Sequence, residues 1–156
     1  MSTSFFYYLL WITMIIFLFS CLLSDIKKRE ISNKIVYPFI VVGTFEHWYF
    51  QGMFGLWTSL FATLVIFILS LLLINRFPLG GGDWKVYMVI ASFTGINGVL
   101  IILWISFFIQ GMIYIVRFYY GKMNVEVIFL PAIFLASLTF FALQNTTMIT
   151  NLILKL

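Results

Sequence analysis

"WKVYMVIASFTGINGVLIILWISFFIQGMIYIVRFYY", residues 84–120, runs for 37 residues with only Lys85 and Arg117 charged. As one helix it would be about 55 Å long, at ~1.5 Å per residue. That is too long for a single crossing of a hydrocarbon core ~30 Å thick without severe tilt. The turn chemistry within it is "TGING", Thr94 to Gly98, where Gly-x-Asn-Gly favours a reversal. The stretch therefore reads as a tight helical hairpin of two spans.

The rest of the chain asks for the same solvent. Of its 156 residues, 63% are hydrophobic and 9% charged, with a mean hydropathy of +1.12. Soluble domains are about a quarter charged. The reading is an all-α polytopic membrane protein, one membrane-embedded domain over residues 1–156. Six apolar stretches can be drawn: Phe5–Leu23, Ile35–Phe50, Phe54–Ile74, Trp84–Thr94, Val99–Phe118 and Val125–Leu143. The first is as long as a span and is followed by basic residues, with no small-x-small cleavage site before them. It reads as a retained helix and not as a secretory leader.

With about six transmembrane helices, one face receives Lys27, Lys28, Arg29, Lys34, Arg76, Lys85, Arg117 and Lys122, and the other only Lys155. The positive-inside rule makes the first face cytoplasmic. Both termini then lie outside, and the short outer loops carry Glu46 and His47. The abundant aromatic residues suit lipid-facing surfaces and interface belts. The lone cysteine, Cys21, can form neither an internal disulfide nor a multi-cysteine zinc site. One His beside one Glu is too little for a metal. No metal or cofactor is expected, and no nucleic-acid element, phosphate loop or Ser/His pair is present.

The chemistry rests on two aspartates. Asp25 ends the first apolar stretch, and Asp83 begins the fourth behind "GGG", residues 80–82. Asp83 could serve as a helix cap. Asp25 is harder to explain as a structural residue, because a helix C-terminus disfavours an anion and an ionisable group beside a span is costly. On one membrane face the two can share a proton, since neighbouring carboxyls do not both ionise easily. One then acts as base on a water while the other polarises a carbonyl, which is the chemistry of aspartic peptide hydrolysis. The alternative is a small non-enzymatic membrane protein: a transporter, a channel or an assembly subunit.

"GGGD" at 80–83 resembles the Gly-x-Gly-Asp signature of intramembrane aspartyl proteases, with Gly80, Gly82 and Asp83 at its fixed positions. Lys85 narrows the resemblance to the type IV prepilin peptidases, whose motif is Gly-x-Gly-Asp-x-Lys. "SDIKKREISNKI", residues 24–35, is similar to that family's first motif, with Asp25, Ile31 and Asn33 matching and Ser32 in place of a proline. "VIFLPAIFLAS", residues 127–137, resembles its third conserved segment through Pro131.

The resemblance implies an endopeptidase of the prokaryotic plasma membrane. Its substrate would be a type IV pilin-like precursor, whose short basic leader is cut after a glycine at the cytoplasmic face. Asp25 and Asp83 would be catalytic, with Gly80, Gly82, Lys85, Asn33 and Pro131 supporting. Glu30 and Glu126 would lie on the same face, where they could draw a basic leader. The larger members carry a methyltransferase activity and a Cys-x-x-Cys pair. This chain has neither their length nor those cysteines, so it resembles the short, peptidase-only members.

Overall fold

The computed structural model describes residues 3–28, 31–73, 81–120 and 129–153. Among the described residues there are four helices: α1 (Thr3–Lys28), α2 (Asn33–Leu73), α3 (Gly81–Tyr119) and α4 (Leu130–Ile153). Three of them are long and apolar enough to cross a membrane, and α4 holds a shorter apolar stretch, Leu130–Thr146. Large apolar side chains such as Phe54, Trp104 and Tyr119 are exposed along these helices. A surface of that kind suits lipid and not water.

The six separate helices predicted from the sequence are thus corrected to four. The second and third stretches belong to α2, and the fourth and fifth to α3. The reason is local. Each long helix is interrupted by one glycine only: Gly52 (φ 64°, ψ −150°) in α2 and Gly95 (φ 67°, ψ −175°) in α3. That region of backbone space is open essentially to glycine alone. A single residue breaks the helical path, so helix runs up to it from both sides without an intervening loop.

In α2 the break reverses the chain. The Ser59 hydroxyl lies 3.1 Å from that of Thr44, 15 residues earlier. In a straight helix the two would be about 22 Å apart, at ~1.5 Å per residue. Gly55 sits so close to the His47 carbonyl that a Cβ there would overlap it. The two arms, 33–51 and 53–73, are therefore antiparallel and in close contact. Small residues permit this, since Gly43, Gly55, Ser59, Ala62 and Ser70 are all buried. Without a hydrophobic force between helices in lipid, close packing of small residues is what holds them together.

The chain divides into two compact units, Met1–Leu100 and Ile101–Leu156. In the first, α1 packs on the first arm of α2. Thr13 meets Glu46, and the Phe17 and Phe39 rings are 5.0 Å apart. Residue numbers rise along one helix as they fall along the other, so the pair is antiparallel. The start of α3 joins them: Ser59 donates to the Ser92 carbonyl at 2.9 Å, and Gly43 lies against Ser92 and Phe93. Met14, Phe17, Leu18, Ile66, Tyr87 and Ile90 are fully buried.

In the second unit, the backbone amides of Ala132 and Ile133 donate to the Phe129 carbonyl at 3.0 and 3.3 Å, which starts α4. The Phe107 and Phe129 rings meet edge to face at 5.5 Å. The predicted stretch Val125–Leu143 is thus shifted: α4 begins at Leu130 and runs to Ile153, and residues 125–128 lie outside the described residues.

Candidate active site

Asp25 and Asp83 occupy opposite ends of their helices. α1 continues past Asp25 to Lys28, so Asp25 lies in its last turn, half-buried. Its neighbour one turn back, Cys21, is fully buried and shares its face of the helix. Asp83 lies in the first turn of α3, also half-buried. A helix N-terminus favours a negative charge there, and a C-terminus does not.

The segments that carry the two aspartates meet. Gly82 packs against Ile31, and a Cβ on Gly82 would stand 3.3 Å from Ile31 Cδ1. Ile31 is buried in the short connection between α1 and α2. The first turn of α3 and the last turn of α1 therefore lie at the same end of this unit. Gly82 is helical and its contact tight, so this glycine acts as a packing surface and not as a loose connector.

That end is closed by a cap. The Ser32 carbonyl accepts from the amides of Ile35 and Val36 at 3.0 and 3.3 Å. Its hydroxyl accepts from the amide of Lys34 at 3.3 Å. Ser32 is thus the N-cap of α2, and Asn33 is the first helical residue, exposed. Lys85 is half-buried two residues after Asp83. At 3.6 residues per turn their side chains leave α3 on opposite sides, and among the described residues Lys85 makes no ion pair. Pro131 is the second residue of α4, where its missing amide costs little because first-turn amides have no helical partner anyway. Gly80, Glu30 and Glu126 lie outside the described residues.

Two features escape sequence reasoning. Trp84, beside Asp83, is almost fully buried, and its indole N–H has no hydrogen-bond partner among the described residues. The run of apolar residues around it gave no signal of that burial. Glu46 and His47, predicted in an outer loop, are instead inside α2, six and five residues before its break. The register that pairs Glu46 with Thr13 depends on how α1 and α2 pack.

Among known families, the model of the type IV leader peptidase family matches residues 12–116. Neither a curated protein nor a solved structure matches the chain. The family match takes in both aspartates and all the elements that bring Gly82 to Ile31. It covers roughly two thirds of the sequence, and the chain belongs to the type IV leader peptidase family.

Proposed function

We propose that this protein is an aspartic endopeptidase of the prokaryotic plasma membrane. It cuts the short basic leader from type IV pilin-like precursors, after a glycine, at the cytoplasmic face. The observation that carries this reading is the contact of Gly82 with Ile31, between the start of α3 and the connection that follows α1. Family membership supports the peptidase class.

The helix ends suggest the division of labour. Asp83, at the start of α3, sits where a negative charge is favoured and takes the role of base. Asp25, in the last turn of α1, takes the role of proton donor to the scissile carbonyl. The ionised carboxylate removes a proton from water as the oxygen attacks the scissile carbonyl carbon. The other carboxyl gives its proton to the carbonyl oxygen, and a tetrahedral diol results. Collapse of the diol breaks the C–N bond, with proton transfer to the leaving amine. Gly82 holds the first turn of α3, with Asp83, against Ile31, and Gly80 is assigned the role of leaving room for an extended substrate. Lys85, Asn33, Glu30, Glu126 and Pro131 support the substrate or the helix ends. No cofactor or metal enters these steps.

In the membrane, α1 crosses once and α2 crosses and turns back at Gly52, within one membrane-embedded domain. Lys34 and Lys85 then face the cytoplasm, and both termini lie outside.

The test is cleavage of a co-expressed pilin-like precursor. Asp25→Asn and Asp83→Asn each abolish the shortened product while the protein still accumulates in membranes. Near wild-type cleavage by either variant would remove the two-aspartate mechanism. The rival, a non-enzymatic transporter or channel, draws on one observation, the carboxylate of Glu46 within α2. That reading requires the wild type to leave the precursor intact.

A further inference from the structure

Glu46 sits in an unusual place for a carboxyl group. It lies on the wall of a groove of about 520 Å³ between α1 and the first arm of α2, otherwise lined by apolar and aromatic side chains including Leu9, Val41, Phe45 and Tyr49. The volume falls in the range that holds a small ligand or a lipid chain. Among the described residues no lysine or arginine pairs with Glu46, and its hydrogen-bonding partner is Thr13, 3.4 Å from both carboxyl oxygens.

Thr13 serves it poorly. A hydroxyl has one proton to donate, and the Leu10 carbonyl is nearer, at 2.9 Å. The carboxylate is left facing an apolar groove without a committed donor. An unpaired charge in such surroundings is costly, and an ionisable group within a membrane helix calls for a partner.

The position of the groove says which partner. Glu46 is six residues, or about 9 Å along the helix, from the turn at Gly52. Exposed aromatics surround that end: Tyr8 on α1, and Trp48, Tyr49 and Trp57 on α2. Such residues settle at the level of lipid headgroups. The carboxyl thus lies just inside an interface belt. From there the groove continues past Phe45 to Val41, toward the middle of the helix, while Leu9 lines its end nearer the turn, level with Tyr49 and Phe50.

We propose that this groove is a binding site for an aminophospholipid. The primary ammonium would hydrogen-bond to the Glu46 carboxylate, and one acyl chain would run along Phe45 and Val41. A primary ammonium supplies both the missing charge and the missing donors. A choline headgroup supplies the charge without the donors, and a glycerol headgroup supplies no cation. The site is on the opposite end of the unit from Asp25 and Asp83, and it does not depend on the peptidase reading.

The experiment is native mass spectrometry of the full chain released from nanodiscs of equal parts phosphatidylethanolamine, phosphatidylcholine and phosphatidylglycerol. The wild type retains phosphatidylethanolamine several-fold over the other two. Glu46→Gln removes that preference, leaving ethanolamine and choline lipids equal. Val41→Trp, a change at an exposed position, fills the groove and removes the preference with Glu46 in place, which covers the case where the first variant does not accumulate. No ethanolamine preference in the wild type, or its persistence in either variant, overturns the proposal.

Discussion

Ser32 takes the position where the family's first motif has proline, and it solves the same problem by other means. Proline stiffens a turn and keeps its carbonyl, whereas serine adds a hydroxyl that accepts from the Lys34 amide. Ser32→Ala should cost about 1 kcal/mol, the usual worth of an N-cap, and Ser32→Asp should cost less; denaturation in mixed detergent micelles measures both. Gly82 gives a second prediction at this scale. Its added methyl meets Ile31 at 3.3 Å, so Gly82→Ala shifts the first turn of α3 and slows precursor cleavage. Ile31→Val removes the atom in the way. The double variant should recover part of the loss, with a coupling of roughly 0.5–3 kcal/mol between the two sites. Additive losses would show that the contact does not position Asp83.

At the scale of elements, the reversal in α2 depends on two glycines for different reasons. Gly52 is needed for its backbone angles, since a Cβ there meets nothing within 4 Å. Gly52→Ala should therefore cost about 1–3 kcal/mol of strain. Gly55 is needed for space, because a side chain would drive into the His47 carbonyl. Backbone cannot step aside as a side chain can, so Gly55→Ala should be the more damaging, and the order of the two midpoints in detergent unfolding checks it. The same glycines mark what was legible in the sequence. The gap between Phe50 and Phe54 and the "TGING" turn both lie at the observed breaks. What could not be read was that one residue suffices at each, because hydropathy reports where a helix wants lipid and not where its hydrogen bonding ends. Glu46 shows the same limit: its depth follows from the packing of α1 on α2.

At the scale of the molecule, the proposed orientation can be tested with thiols. Cys21 is fully buried and gives little background to a membrane-impermeant maleimide. Lys34 and Gln51 are both exposed, at opposite ends of the first arm of α2. In intact cells Gln51→Cys should be labelled from outside, and Lys34→Cys only after the membrane is opened; the reverse pattern would invert the assignment of faces. The two aspartate motifs are legible because the residues of each are adjacent in sequence. The contact between the start of α3 and the connection after α1 is not, since it rests on Ile31 and Gly82, 51 positions apart. The turn at Gly52 also bears on how the protein is made. Between Lys34 and Arg76 the only charged side chain is Glu46, and the connection between the arms is a single residue. No charged loop has to be carried across the bilayer during synthesis. The two arms can enter the membrane together as a preformed hairpin, their polar backbone already satisfied, with Gly52 leading.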